Sequence, residues 1–334
     1  MSQKISTLIG CCLVHLGIGS IYASSVLYQD ICKTTNWDTS VLVWGFGLTI
    51  FFLGISAAFF RHFSEGITVK RELGYSTFCY VLAQIAQWLT ILQTHSIQGY
   101  LISSALVGVP LGILYSATVA EAGKLFKRVA VCSGLVVMSF GFGSLLAANC
   151  YKELLKSPLE TVTLYFFATW LLIAVGVVLF RSETTIVSKP MGDILRNRKW
   201  QILFVSFFLN ICAGLWLLSR LVPATVSVGF SFETAVTLVG WAGIANGLGR
   251  IVFTPLADSV GRYPVFKLVL ILQVCALALL QISWIPAVLL SIAVYGAGFS
   301  LVPGICKDIF EDGDTAYGVL LTAWGLAGLT VIII

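Results

Sequence analysis

Glu233 to Arg262, ETAVTLVGWAGIANGLGRIVFTPLADSVGR, is the stretch on which the reading of this chain turns. At 1.5 Å per residue its apolar part, 233–256, is long enough to cross the roughly 30 Å hydrocarbon layer of a bilayer. Within it stands one full positive charge, Arg250, eight residues before the first acid, Asp258. That spacing puts the guanidinium roughly 12 Å inside the membrane boundary, where an unpaired cation costs at least about 2.5 kcal/mol. Asn246 lies one turn back on the same face, and Gly243, Gly247 and Gly249 keep the adjoining surface small, as a helix packed in a protein interior requires. Two readings are open: an arginine snorkelling to the nearer surface, or an anion-binding site.

The composition selects the setting. With 58% apolar and 10% charged residues among 334, the chain has far less charge than the quarter or so of a soluble domain. Eleven apolar runs of spanning length are expected, at about 5–27, 40–60, 74–92, 99–119, 129–150, 161–181, 199–221, 233–256, 264–282, 285–305 and 315–334. The first is too long for a cleavable leader and has only Lys4 before it. The expected class is therefore an all-α polytopic membrane protein in a lipid bilayer.

The net charge of +5 reflects orientation and not a nucleic-acid partner. Fifteen cations fall on the side of the N-terminus: Lys4, Arg61, Lys70, Arg71, Lys124, Lys127, Arg128, Arg181, Lys189, Arg196, Arg198, Lys199, Arg262, Lys267 and Lys307. Lys33, Lys152, Lys156 and Arg220 fall on the other, so the positive-inside rule places the N-terminus in the cytoplasm, with the chain in the cell membrane, the inner one in a bacterium. The nine cysteines are scattered without a CxxC pair or a histidine cluster. They read as small core residues, so neither metal nor cofactor is expected.

The first span carries His15, Gly19 and Tyr22 on one polar, thin face that suits a cavity. An internal repeat is also present. Gly45, Gly54 and Gly66 recur as Gly240, Gly249 and Gly261 with an offset of 195, and SGLVVMSFG at 133–141 recurs as YGVLLTAWG at 317–325 with an offset of 184. Two halves of six helices are implied: a bundle over 1–181, a polar cytoplasmic connection over 182–198, and a second bundle over 199–334. The latter holds five spans, without a counterpart of the sixth.

Several short motifs resemble the major facilitator superfamily. Gly249 followed by Asp258-Ser259-Val260-Gly261-Arg262 is similar to its signature between helices eight and nine. GIGSIYASSV at 17–26 before Trp37, NGLGR at 246–250, LVPGICKDIF at 301–310 and YGVLLTAWGLAGL at 317–329 resemble the oxalate/formate antiporter-like branch, which borders the monocarboxylate transporters. The resemblance implies a fold of two pseudo-symmetric helix bundles and transport by alternating access. It also implies that Arg250 binds a substrate carboxylate, and that a lysine in the eleventh helix assists in dicarboxylate carriers. Here no cation follows Lys307, and Trp324 occupies the middle of that helix. A monoanion, or a dianion met partly by hydrogen bonds from Tyr22, Tyr115, Asn246 or Tyr317, is the expected substrate.

Gly249, Asp258, Gly261 and Arg262 are the expected conformational latch, with Asp258 paired to Arg262. In the first-half copy Phe63 stands where the acid belongs, leaving Glu65, Lys70 and Arg71 nearby. All fifteen acids fall in loops or at helix ends, so only His15 offers a proton relay, and exchange or uniport is expected over proton symport. A monomer is expected. The alternatives are a non-transporting sensor or degenerate transporter, and a proton-coupled monocarboxylate symporter. An enzyme is disfavoured, because HExxH, a nucleophile elbow and paired intramembrane carboxylates are all lacking.

Overall fold

A computed structural model of the chain describes residues 2–126, 129–186 and 192–333. Lys127, Arg128, Lys189 and the middle of the 182–198 connection lie outside the described residues. The helices in chain order are α1 (Gln3–Ile18), α2 (Tyr28–Thr35), α3 (Thr39–Phe63), α4 (Val69–Leu89), α5 (Ile97–Leu125), α6 (Val129–Leu154) and α7 (Val162–Leu179). After a short α8 (Gly192–Arg196) come α9 (Arg198–Ser219), α10 (Leu221–Ser227), α11 (Phe232–Val260), α12 (Arg262–Leu279), α13 (Trp284–Ile309), α14 (Gly313–Leu320) and α15 (Thr322–Ile333). The caps follow from side-chain chemistry: Asp38, Thr68, Ser96, Asn197 and Ser231 each accept a bond from an early backbone N–H of the helix they begin.

Among the described residues ten segments are long and apolar enough to cross a membrane. The expected third span, 74–92, is helical as α4 and a following π turn (Thr90–Thr94) but is not among the ten. The physical reason is its polar content. It starts with Lys70, Arg71 and Glu72, and Gln84 inside it donates to the Tyr80 hydroxyl at 3.0 Å and accepts from the Trp170 indole. Helix α1 continues as a 3₁₀ segment, Gly19–Val26, longer than the few residues such helices usually last. The outer faces of α7 and α12 turn Leu164, Phe167, Leu171, Val178, Ile271 and Val274 outward, which is sustainable only against lipid.

Two helix crossings tie the early helices to the late ones. Helix α3 packs on α15, where a Cβ on Gly54 would lie 2.4 Å from the Gly325 nitrogen. Helix α6 packs on α11, where a Cβ on Gly141 would lie 2.7 Å from the Gly243 carbonyl oxygen. Under the two repeat offsets α3 corresponds to α11 and α6 to α15, so the crossings are equivalent. Small residues let these backbones touch where lipid gives no hydrophobic drive to associate. The connection after α7 is fastened to the early helices: Gly66 N donates to Ile186 O at 3.1 Å and Val69 N to Thr184 O at 2.9 Å. The buried Glu121 carboxylate accepts from the hydroxyls of Ser182 and Thr184.

Replacing Gly54 by Val forces a branched side chain into backbone and should destabilise the fold by about 1–3 kcal/mol. Gly134→Val, where nothing lies within 4 Å of the added carbon, is the matched control. A thermal unfolding series in detergent should show a clear loss for the first and little change for the second.

Candidate functional site

The site is built where five helices reach the same depth. Arg250, Tyr115, Phe140, Trp324 and His15 lie ten to twelve residues from the helix ends on the N-terminal face, Val260, Leu125, Val129, Gly313 and Gln3. That is about 15–18 Å into the bundle. Arg250 is 3% exposed, and its Nε donates to Asn246 Oδ1 at 3.1 Å, the bond expected between residues one turn apart. The guanidinium carbon sits 5.6 Å from the centre of the Phe299 ring. The close contact of α11 with α13 arises at two glycines. A Cβ on Gly249 would lie 1.9 Å from Ala293 O, and one on Gly296 would lie 2.6 Å from Asn246 Oδ1. Gly249 therefore serves helix packing behind the arginine.

Six aromatic rings form a closed collar around this level. Going round, Tyr22 meets Phe140 (4.9 Å between centroids), Phe140 meets Tyr115 (5.8 Å) and Tyr115 meets Trp324 (5.0 Å). Trp324 then meets Phe299 (4.8 Å), Phe299 meets Tyr295 (5.1 Å), and Tyr295 returns to Tyr22 (6.1 Å). Rings from α5, α6 and the extension of α1 thus form one half of the collar and rings from α13 and α15 the other, and the hydroxyls of Tyr22 and Tyr295 are hydrogen-bonded where the halves meet. All six are buried.

Around the collar, polar atoms stand buried without a hydrogen-bond partner: Arg250 Nη1, Asn246 Nδ2, the hydroxyls of Tyr115 and Tyr317, Trp324 Nε1 and His15 Nδ1. The first five can all donate, and the guanidinium, amide nitrogen and indole can only donate. His15 differs. Thr118 Oγ1 donates to Leu114 O at 2.6 Å and so accepts from His15 Nε2 at 2.8 Å, which leaves Nδ1 as a bare acceptor. Each unmade buried bond costs about 1–3 kcal/mol, so a cluster of them at one depth is poor packing and good ligand chemistry. Among the described residues no carboxylate pairs with Arg250, and no group of metal-binding side chains occurs.

The structure thus brings together Arg250, Asn246, His15, Tyr22, Tyr115 and Trp324 of the expected site, with the Tyr317 hydroxyl within electrostatic range of Tyr115. It adds Tyr295, Phe299, Phe140 and Thr118. Phe140 was readable, because the 184-residue offset pairs it with Trp324. The latch differs from expectation. Gly261 has φ +103°, which ends α11 and throws Arg262 onto α12, away from the exposed Asp258. Arg262 Nη1 instead meets Asp308 Oδ1 of α13 at 2.6 Å, its side chain lying over Gly304.

The Major Facilitator Superfamily profile matches residues 7–331. The chain belongs to that superfamily. It is 25% identical to an uncharacterised MFS-type transporter, YhjX, of Escherichia coli (strain K12), over 97% of this chain and 85% of that one. It is 23% identical to the oxalate:formate antiporter of Oxalobacter formigenes, over 73% of this chain and 64% of that one. Crystal structures of an E. coli fucose:proton symporter (TM-score 0.71, 15% identity, 99% of this chain and 91% of that one) and of a D-xylose-proton symporter (0.69, 13%, 98% and 88%) share the fold. It is a multi-pass membrane transporter.

Because Arg262 spans α12 and α13 at one face, Asp308→Asn should lower the turnover rate severalfold while leaving substrate affinity within about twofold. Asp258→Asn should do neither. Initial rates set beside equilibrium binding check both.

Proposed function

We propose that the protein is a secondary active transporter that moves a small organic anion, a mono- or dicarboxylate, by alternating access and in exchange for a second anion. The observation that carries this reading is a buried guanidinium whose own Nη1 and four neighbouring donors, Asn246 Nδ2, the Tyr115 and Tyr317 hydroxyls and Trp324 Nε1, lack a hydrogen-bond partner, with no acid paired to it among the described residues. A carboxylate is an acceptor with about four lone-pair sites and a full negative charge, so it satisfies donors and offsets the cation together. A neutral sugar carries as many hydroxyl donors as acceptors and leaves the charge uncompensated. The antiporter activity named for the O. formigenes relative agrees with this choice.

Arg250 anchors the carboxylate, Asn246 holds the guanidinium flat, and Tyr115, Tyr317 and Trp324 supply the remaining donors. Tyr22 and Tyr295 close the collar. The N-terminus lies in the cytoplasm, the protein acts as a monomer, and Arg262 with Asp308 steadies one conformation. Exchange follows from charge. An emptied site keeps a desolvated cation, which resists reorientation until another anion binds. The His15 Nε2 proton is already committed to Thr118, and that limits its use as a relay.

In proteoliposomes loaded with formate, acetate, oxalate or succinate, wild-type protein should catalyse counterflow that persists when the pH gradient is collapsed. Arg250→Ala should lower the rate more than a hundredfold, the loss of about 3 kcal/mol expected when one partner of a buried charge pair is removed. Arg250→Lys should recover little, since a planar fork becomes a point charge. His15→Gln should change rates by less than tenfold. Uptake that strictly needs a proton gradient and is abolished in His15→Gln would assign proton-coupled symport instead.

A further inference from the structure

A second cation, Arg220, ends α9 on the face away from the N-terminus, and nothing in the transport cycle described above uses it. Its Nη2 donates to Val331 O at 2.7 Å, and its guanidinium carbon lies 5.3 Å from the ring of Trp216, one turn back on α9. Two buried donors there remain unused, Arg220 Nε and Trp216 Nε1. Three acids of the same face are paired with lysines. Asp30 pairs with Lys33 at 3.3 Å, Glu153 with Lys156 at 2.6 Å and Glu233 with Lys152 at 2.7 Å. Among the described residues Arg220 is therefore the cation of that face without an acidic partner.

Its position relates it to the collar. Gly214 of α9 packs directly on the Tyr295 ring, where an added Cβ would lie 2.3 Å from a ring carbon. Arg220 comes six residues later, about 9 Å further out along the same helix. Across from it lies Tyr28, at the end of the 3₁₀ segment that carries Tyr22, close enough to feel the guanidinium charge. Arg220 thus stands beyond the Tyr22–Tyr295 bond along α9, toward the face away from the N-terminus.

We propose that Arg220 and Trp216 form an outer carboxylate-binding station, which takes the anion from solution on this face before it passes the Tyr22–Tyr295 bond to Arg250. This rests on the carboxylate reading of the central site. A half-buried guanidinium held on an indole and a carbonyl is pre-oriented, and the unpartnered Nε and indole N–H are donors of the kind a carboxylate accepts from. It raises the local anion concentration at the mouth without the full desolvation that Arg250 requires, so the anion binds briefly and leaves inward.

The test uses the full chain in oriented phosphatidylcholine proteoliposomes, with formate, acetate and oxalate supplied separately to each face during counterflow. Arg220→Gln should raise the half-saturating concentration on the Arg220 face at least fivefold and change that on the N-terminal face less than twofold. Arg220→Lys should fall between. Trp216→Phe keeps the ring and removes only the N–H, and it should give a smaller shift with the same one-sidedness. Equal shifts on both faces, or no shift in the two Arg220 variants, would overturn the outer station while leaving the central site intact. A shift that emerges only when phosphatidylglycerol is added would assign Arg220 to a lipid headgroup and overturn it too. Absence of carboxylate flux in the wild type would remove the central reading and this one with it.

Discussion

The constraint on which the rest of this structure depends is a guanidinium held about 15 Å inside a membrane bundle with no acid paired to it among the described residues. A charge in that position is sustained only by what surrounds it, and here the surroundings are specific. Asn246 takes one N–H, Phe299 lies under the plane, and Gly249 and Gly296 let α13 close on α11 so that both partners are in place. The arrangement orients the charge without neutralising it. That combination is costly as architecture and useful as a binding site, because the missing interaction is the one a carboxylate supplies.

Placement at the seam gives the charge mechanical reach. The collar is made from α1, α5 and α6 on one side and α13 and α15 on the other, so a solute bound there, in the proposed site, would touch both groups of helices together. The glycine crossings of α3 with α15 and of α6 with α11 are surfaces along which backbones touch with few interlocking side chains. Such surfaces tolerate a change of crossing angle better than a jigsaw of large residues would. The Tyr22–Tyr295 hydrogen bond and the Arg262–Asp308 pair lie at different depths, toward opposite faces, and each is a contact that opening on its own side must disturb.

Much of the centre was legible in the sequence because it is local. Arg250 and Asn246 are one turn apart, their charge and polarity are conspicuous in an apolar run, and the glycines beside them announce a close neighbour. Tyr115, Tyr317 and Trp324 were legible through motif and position, and His15 with Tyr22 through a shared polar face. What was not legible is tertiary. Tyr295 and Phe299 are ordinary aromatics in an apolar helix until α11 and α13 meet, and 22 phenylalanines give no way to choose one. The Arg262 partner was misplaced for a geometric reason. Helical periodicity puts residue 258 beside 262, but the positive φ of Gly261 breaks the helix between them. The third span, expected at 74–92, is helical as read, and the polar Gln84 inside it is satisfied within the bundle by Tyr80 and Trp170.

The sugar symporters that share this fold at 13–15% identity sharpen the argument about chemistry. A shared fold does not decide the solute, which depends on the atoms lining the site. For a polyhydroxyl solute those atoms must alternate between donors and acceptors, or the solute's own O–H groups are buried unpaired at about 1–3 kcal/mol each. Here, among the described residues, the free valences nearest the cation are weighted toward donors: the guanidinium, the Asn246 amide nitrogen and the Trp324 indole can only donate, the Tyr115 and Tyr317 hydroxyls can do either, and His15 Nδ1 accepts. The collar adds a second filter. Its rings meet edge to face, with interplanar angles of 60–85° at all six contacts. Rings so packed leave little slack for a bulky solute, and their electropositive edges tolerate an anion that their faces would repel. Charge and shape therefore point in the same direction on the proposed reading, toward a small, flat, negatively charged solute.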